Sequence, residues 1–297
     1  LAEAARMASR LGAEILGVGA FAREMSAATR KVASRVALPI TSGGSYLISA
    51  NMWAAKKAVV AMGIPQDDVG RAQGTALVLG AGDPQGAVAA ELLALVFTRL
   101  VVVDNSPDRL LALLGRISAR SPHCSVEVVT QAGSWLGGAD LVVTGLVPGW
   151  RGTVDLPTLK PGAVLLDCAR PPEFGVAALE VRPDVLILLA GEIELPGPAD
   201  LGQDLGPPPK VAFSSLAEVV VLALEGRHEC FTLGDEVELD KVKEIYKLGL
   251  RNGMQLASMR GPLGPISDTQ IKLVAEHAGA RLRAEDLPPP LETTTDP

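Results

Sequence analysis

The chain has 297 residues and a net charge of −7, and 48% of its residues are hydrophobic although only 3% are aromatic. This length is sufficient for one large or two modest cores, and a core poor in aromatics has to be built from Ala, Val and Leu, as in many α/β proteins. The acidic net charge argues against a nucleic-acid partner. The apolar runs stay below the ~20 residues that a membrane span needs. The few cysteines and scattered histidines predict a reduced, cytoplasmic protein without a metal site.

The first part of the chain predicts helices joined by short polar turns. Helices are predicted over residues 2–11, 26–35 and 50–62, and a short buried strand over 14–18. Small polar residues and glycines at 41–45 predict a turn before the third helix. We interpret residues 1–69 as the N-terminal part of a substrate domain.

Apolar strands alternate with helices between residues 70 and 195. Strands are predicted over 75–79, 99–103, 126–129, 140–144, 163–166 and 185–189, with helices over 84–97 and 107–119. This alternation is typical of a parallel sheet with helices on both faces, and nearly continuous apolar strands fit a sheet that is covered on both sides. The sequence therefore predicts a doubly wound α/β domain.

The C-terminal part returns to helices. A loop rich in Gly and Pro at 196–209 precedes helices predicted over 215–225, 240–251 and 267–282. We interpret residues 210–285 as C-terminal helices that pack on the N-terminal segment, so that the two together form a second, smaller domain. Residues 286–297 are predicted to be a disordered tail.

A glycine-rich turn joins the first strand of the alternating segment to its helix, and it consists of Gly80, Ala81, Gly82, Asp83, Pro84, Gln85 and Gly86. In a Rossmann-like dinucleotide fold the first glycine permits the tight turn, the second lets the pyrophosphate approach the backbone and the third lets the helix pack against the strand. The helix N-terminus also offers free N–H groups to the phosphates. The alternative is a glycine turn that only packs a helix on a strand.

Asp104 ends the second strand of this segment, 22 residues after Gly82. An acidic residue at this distance accepts hydrogen bonds from the adenine ribose and repels a 2′-phosphate, so we predict NAD in preference to NADP. Asn105 adjoins this position, and the nearby Arg109 weakens the preference. Further residues that follow strands are predicted to border the cofactor, namely Thr144, Gly145, Leu146 and Gly191.

Four segments resemble the long-chain acyl-(acyl-carrier-protein) reductase family, which makes fatty aldehydes and is similar in its cofactor domain to glutamyl-tRNA reductase and shikimate dehydrogenase. The segments are Thr41-Ser42-Gly43 with the following helix, residues 78–86, Leu165-Leu166-Asp167 with Pro171, and residues 216–218 with 224–228. Their order and spacing match the family from about residue 11 to 253. The resemblance implies an NAD(P)-dependent oxidoreductase that transfers hydride to a carbonyl-level carbon of a small-molecule or carrier-bound acyl substrate.

Ser215 stands where the family that this chain resembles has a nucleophilic cysteine. That cysteine takes the acyl group as a thioester, whereas a serine needs a positioned base, so altered chemistry is expected here. The pattern Ser215-x-x-Glu218 also matches a capping box, which is its structural alternative. Cys168, at the end of a strand, is a second candidate nucleophile, and its alternative is a buried core residue.

Other polar residues are candidates for holding the substrate. Backbone N–H groups around a glycine turn can bind a carboxylate or carbonyl, and the residues around the predicted turn are Thr41, Ser42, Gly43, Ser45 and Asn51. Ordinary turn and capping contacts are the alternative for this group. Lys56 is a candidate proton donor, although lysines on such helices are usually solvated.

Three functions remain open on the sequence. The first is a reductase similar to the acyl reductases, and the second is a dehydrogenase of a small polar acid, of the shikimate dehydrogenase type, which needs no cysteine. The third is a dinucleotide-binding sensor without turnover, because a fold alone does not imply catalysis. For each of them we expect a homo-oligomer, as is usual for such folds.

Overall fold

The described residues of the computed structural model are 1–19, 26–189, 191–199, 202 and 206–285. Within them the helices are α1 (Ala2–Arg10), α2 (Ser26–Ala33), α3 (Gly44–Ala61), α4 (Pro84–Val96), α5 (Pro107–Arg120), α6 (Val176–Val181), α7 (Ser214–Leu224), α8 (Leu239–Arg251) and α9 (Asp268–Glu285). The strands are β1 (Leu16–Gly17), β2 (Ile40–Thr41), β3 (Ala72–Leu79), β4 (Phe97–Val103), β5 (Ser125–Val129), β6 (Leu141–Thr144), β7 (Val164–Asp167), β8 (Leu186–Leu189), β9 (Glu192–Glu194), β10 (Val211–Phe213), β11 (Gln255–Leu256), β12 (Arg260–Gly261) and β13 (Gly264–Pro265).

The central element of the fold is a six-stranded sheet in the order β5-β4-β3-β6-β7-β8. All neighbouring strands in it are parallel. This is the strand order of the doubly wound Rossmann fold, in which the order reverses at a switch point, here between β3 and β6. The structure therefore confirms the predicted fold class. Ligands of such sheets bind outside the carboxyl ends of the strands at that switch point.

Side chains of the parallel sheet alternate between two cores. In β3, Val78 faces a core built with α3, α4 and α5, while Leu77 and Leu79 face a core that includes Trp150 and Phe174. The three β3 side chains are fully buried. Because both faces are covered, the strands read as nearly continuous apolar runs.

Helix α3 begins at Gly44, where the sequence predicts a turn that extends to residue 45 and a helix only from residue 50. Gly43, just before it, has a φ of 80°, and Tyr46 and Ile48 in its first two turns are buried. Burial stabilises these turns although glycine and serine are weak helix formers. Helix α3 contacts α4, which packs on the parallel sheet, and it also contacts the C-terminal helices α7 and α8. It therefore connects the part of the molecule that contains the parallel sheet with the part that contains the C-terminal helices.

A small antiparallel sheet in the order β10-β9-β11 lies beside α3 and α7. Strand β9 falls inside the range 70–195, yet it pairs with β10 and β11 of the C-terminal part. The core at this sheet contains Tyr46, Ile193 and Phe231. No pattern in the sequence predicts these three strands, and the parallel sheet itself ends at Leu189.

Among the described residues, no helix has both the length and the apolar character needed to traverse a bilayer. The same residues contain no group of three or more His, Cys, Asp or Glu that could hold a metal ion. Residues 286–297, predicted to be a disordered tail, lie outside the described part of the chain.

Candidate functional site

The glycine turn between β3 and α4 has no room for side chains at its first and last glycines. Gly80 has a φ of 75°, and a Cβ on Gly86 would lie 2.1 Å from the Gly80 carbonyl oxygen. The helix therefore packs directly on the end of the strand. Pro84 opens the helix, and the Asp83 carboxylate caps it by accepting from the Gln85 N–H at 3.3 Å.

Asp104 lies against this turn. Its Oδ2 accepts from the Gly82 N–H at 3.1 Å and its Oδ1 from the Ser106 N–H at 2.9 Å, and the residue is only 7% exposed. A Cβ on Gly82 would lie 2.6 Å from the Asp104 Cγ. The sequence assigns the space at Gly82 to a pyrophosphate, whereas in the structure the neighbouring carboxylate occupies it. Each carboxylate oxygen still has further acceptor capacity.

A cavity of about 350 Å³, the outer cavity, lies beyond the ends of β4 and β5. Its lining includes Asn105, Gln131, Trp150 and Thr153. The Trp150 ring also lies on the glycine turn, because its Cδ1 would be 2.9 Å from a Cβ on Gly80. Trp150 therefore contacts the glycine turn and also lines the outer cavity, which reaches Asn105, the residue after Asp104.

A second cavity of about 280 Å³, the central cavity, lies between the parallel sheet and the starts of α3 and α7. It brings together five of the predicted residues, Ser42, Gln85, Gly145, Cys168 and Ser215. These residues come from the switch point of the sheet and from the opposite part of the molecule. The central cavity is thus placed where a Rossmann fold exposes its ligand to a second domain.

Cys168 is oriented by a hydrogen-bond relay from α3. The Asn51 Nδ2 donates to the Cys168 Sγ at 3.3 Å, and the Asn51 Oδ1 accepts from the Gly191 N–H at 2.7 Å. Asn51 is fully buried, so its amide has no other conformer that would satisfy both partners at once. The residue predicted to touch substrate therefore positions the thiol and the turn before β9.

Ser215 is not a helix cap. Helix α7 begins one residue earlier, at Ser214, and its N-cap Phe213 makes no side-chain capping bond. Glu218 instead accepts from the Thr41 hydroxyl at 2.5 Å and from the Tyr46 N–H at 2.9 Å, so the capping-box alternative is wrong. Ser215 is 8% exposed and lines the central cavity, and within the described residues the buried Ser214 Oγ has no hydrogen-bond partner.

Glu218 is fully buried between α7 and the start of α3. Burial raises the pKa of its carboxyl, against the hydrogen bonds from Thr41 and the Tyr46 amide, which lower it. A Cβ on Gly43 would lie 2.1 Å from the Ser215 carbonyl oxygen, so the two segments touch backbone to backbone. The Glu218 contacts therefore fix the position of Ser215 relative to α3.

The predicted substrate residues at the start of α3 bond mainly to the protein itself. The Thr232 hydroxyl donates to the Ser45 Oγ at 2.8 Å, and the Ser42 hydroxyl donates to the Gly234 carbonyl at 2.9 Å. Thr41 and Ser45 are fully buried, and of this group only Ser42 lines the central cavity. The contacts of Thr41 and Ser45 are thus long-range ones, to Glu218 and Thr232, and not the local turn and capping contacts of the alternative.

Other predicted residues are not part of the lining of the central cavity. Lys56 on α3 and Arg109 on α5 are exposed, and neither lines it. Leu146 is buried, and the Thr144 Oγ1 is a buried atom without a partner within the described residues.

The lining also contains residues that the sequence did not predict, among them Arg151, Arg170 and Phe213. The Arg170 Cζ lies 5.3 Å from the centre of the Phe213 ring, and Arg151 donates to the Pro171 carbonyl. The sequence indicates these residues only through their closeness to predicted ones: Arg170 follows Cys168 by two residues, and Phe213 directly precedes the two serines of α7.

No protein-family model matches the chain. A search of curated proteins finds the aminotransferase PigE of Serratia sp. (strain ATCC 39006), which is 28% identical over 259 residues. The match covers 82% of this chain but 28% of that protein, so the chain spans less than a third of its relative's length.

Several solved structures are distantly similar. The 5-ketofructose reductase of Gluconobacter sp. strain CHM43 is 14% identical, with a TM-score of 0.39 over 83% of this chain and 82% of that one. The quinate dehydrogenase of Corynebacterium glutamicum in complex with NAD is 17% identical, with a TM-score of 0.35 over 63% and 71%. The shikimate dehydrogenase of Mycobacterium tuberculosis is 23% identical, with a TM-score of 0.32 over 47% and 51%. The fold class rests on the strand order of the sheet itself.

Proposed function

We propose that this protein is an NAD(P)-dependent oxidoreductase that acts on a carbonyl-level carbon in the central cavity. The observation that carries the proposal is the junction at the sheet's switch point. There, a glycine turn with Asp104 against it adjoins the central cavity, which contains a thiol and hydroxyl groups.

The residues around the turn fit a dinucleotide. The turn itself carries no side chain at Gly80, Gly82 or Gly86, and the amino end of α4, which begins at Pro84, favours negative charge. The outer cavity, beside Asn105, would take the adenosine, and Asp104 would accept from its ribose. When bound, the nicotinamide supplies the hydride, and the protein supplies orientation and electrostatics.

Within this function we propose that Cys168 receives an acyl group from a thioester substrate, as the resemblance to the acyl reductases suggests for a thiol. The Cys168 thiolate attacks the acyl carbon and forms a new C–S bond as the bond to the carrier sulfur breaks, and the released carrier thiolate takes up the proton that Cys168 lost. Asn51 donates to the Cys168 Sγ and so favours the thiolate. The Ser215 hydroxyl, which lines the same cavity, would donate to the acyl oxygen.

Turnover tests this assignment. With a medium-chain acyl thioester and NADH or NADPH, we expect loss of the reduced-cofactor absorbance and formation of the aldehyde. Cys168→Ala should abolish both and Ser215→Ala should slow them, while Cys230→Ser serves as the matched control because Cys230 is exposed and does not line the cavity. Full activity of Cys168→Ala would refute the role of the thiol.

A dehydrogenase of a small polar acid is the second candidate. The central cavity, at about 280 Å³, is at the small end of ligand sites, and its serines and glutamine suit a compact polar substrate. Such an enzyme would oxidise a hydroxy or amino acid with NAD and would keep its activity in Cys168→Ala. Dinucleotide binding without turnover of either substrate class would instead favour the sensor.

The named relative is compatible with an aldehyde product. The Serratia protein is called an aminotransferase, and the match covers 28% of it. Aminotransferases convert a carbonyl group into an amine, so an aldehyde released by a reductase is a compound that such an enzyme can use.

A further inference from the structure

Two arginines share the rim of the central cavity. Arg151 and Arg170 both line it and both are exposed. Arg151 donates to the carbonyl of Pro171, the residue that follows Arg170. The Arg170 guanidinium lies over the ring of Phe213, which directly precedes Ser214 and Ser215. The two positive charges therefore stand next to the proposed reacting groups.

The described residues leave this pair of charges without an ion-pair partner. Neither guanidinium forms an ion pair with a carboxylate of the described residues, although the chain as a whole carries a net charge of −7. Burial raises the pKa of the nearby Glu192 carboxyl, while the charges of Arg260 and Arg170 lower it, and Glu192 is already paired with Arg260 at 3.7 Å. Two positive charges at one rim repel each other, and an anion bound between them offsets this electrostatic repulsion.

The loop that carries Arg170 is held in place by the side chain of Asp167. This buried carboxylate accepts from the N–H groups of Ala169 at 2.9 Å, Glu173 at 2.6 Å and Phe174 at 3.0 Å. The Glu173 carboxylate in turn accepts from the Gly152 N–H, beside Arg151, at 2.6 Å. Both arginines therefore project from segments that are already ordered, which lowers the cost of ordering them around a ligand.

We infer that Arg151 and Arg170 form an anion subsite that holds the negatively charged group of the substrate while its carbonyl carbon lies in the central cavity. The planar guanidinium matches the oxygens of a carboxylate or a phosphate with two parallel hydrogen bonds. The inference rests on the proposed function and adds to it the charge of the substrate. The anion is either the carboxylate of a small acid or the phosphate of a carrier arm, which share this chemistry.

Two pairs of probes test the subsite, and each pair differs only in one anionic group. Pantetheine 4′-phosphate is compared with pantetheine, and succinate semialdehyde with butanal, by calorimetric titration of the full chain. We expect the anionic member of one pair to bind roughly tenfold more tightly. Arg151→Gln and Arg170→Gln should each remove most of that preference, while Arg10→Gln, an exposed arginine on α1 outside the cavity lining, should leave it unchanged.

The pair that shows the preference identifies the anion as a carboxylate or a phosphate. Equal binding within both pairs would overturn the inference, and so would a preference that survives in both arginine variants. A loss of NADH binding with an unchanged preference would assign the arginines to the cofactor and would also overturn it. These titrations need no turnover, so they are independent of the reductase test. A protein that prefers the anionic probe but oxidises no NADH would refute the proposed function and leave the anion subsite intact.

Discussion

Gly86 can be compared with a second helical glycine that has free space around it. A Cβ on Gly86 would lie 2.1 Å from the Gly80 carbonyl oxygen, whereas a Cβ on Gly115 in α5 would meet nothing within 4 Å. We expect Gly86→Ala to destabilise the protein by about 1–3 kcal/mol and to abolish dinucleotide binding, because the backbone of the turn has to move. Gly115→Ala should stabilise it by about 0.5–1 kcal/mol.

Urea unfolding measures both glycine effects, and titration with NADH measures cofactor binding. A Gly86→Ala variant that binds NADH normally would contradict the proposed role of the turn. Gly115→Ala is the matched control because it makes the same substitution inside an exposed part of a helix.

Asp104 is the residue on which cofactor choice is predicted to depend. Its carboxylate holds the Gly82 and Ser106 N–H groups and leaves acceptor capacity for a ribose. We expect Asp104→Ala to weaken NAD binding roughly tenfold and to reduce the discrimination against NADP, since a negative charge that repels a 2′-phosphate is removed. Calorimetric titration with both cofactors measures the change, and unchanged affinities for both would contradict the role.

The sequence predicts some of these residues and not others for a physical reason. Glycines in a turn and an acid at a strand end are local patterns, so Gly86 and Asp104 are visible in one segment of the chain. Asn51 is different, because its contacts with Cys168 and Gly191 join residues that lie far apart in the sequence. Arg151 and Arg170 can be recognised as a pair only in the folded protein, where the loops after β6 and β7 meet at the rim of the central cavity.

Helices α3 and α7 are connected by the buried Glu218. Burial raises the pKa of this carboxyl above its ordinary value of 4.5, so the folded protein holds the proton more tightly than the unfolded chain does. The resulting stabilisation is complete below pH 4.5 and is lost as the pH rises through the folded-state pKa. We therefore expect the wild type to lose stability relative to Glu218→Gln as the pH is raised from acidic to alkaline values.

Urea unfolding of the wild type and of Glu218→Gln at a series of pH values measures this difference. Glutamine keeps an oxygen that can accept from the Tyr46 N–H, so the variant is expected to fold. A stability difference that does not change with pH would contradict the expectation.

The end of α6 is held by a buried ion pair with Asp184, two residues before β8. The Arg182 Nε and Nη2 each donate to Asp184 at 2.8 Å, and its Nη1 donates to the Leu156 carbonyl at 2.6 Å. Arg182 is only 1% exposed. We expect Asp184→Ala to destabilise the protein by about 3–5 kcal/mol, because it leaves a buried guanidinium without its partner.

An exposed pair provides the control for this prediction. Glu3→Ala breaks the surface pair of Arg6 and Glu3, which is worth at most about 1 kcal/mol. Urea unfolding compares the two variants, and equal effects would contradict the importance of burial.

At the level of elements, periodicity predicts the strands of the parallel sheet and most helices, because each is long enough to show its pattern. It does not predict β9, β10 and β11, which have two or three residues each and are defined by pairing with distant segments. The early start of α3 is missed because its first residues have low helix propensity and depend on burial.

For the whole molecule, the sequence-based fold class is confirmed by the strand order, while the division into two domains stays a prediction. Helix α3 contributes to the core of the parallel sheet and to the core of the C-terminal helices, so the two parts share one element. The expected homo-oligomer also stays a prediction, and light scattering of the purified protein measures it.

Trp150 gives the protein an intrinsic optical reporter. The residue is 8% exposed, and its indole borders the outer cavity and contacts the glycine turn, so a molecule that enters there has to change the surroundings of this fluorophore. Trp53, by contrast, packs edge-on against Tyr246 on α8, away from that cavity. The emission of the unlabelled protein should therefore report ligand arrival at the outer cavity, and Trp150→Phe should reduce that signal to the part contributed by Trp135, which packs against the same core.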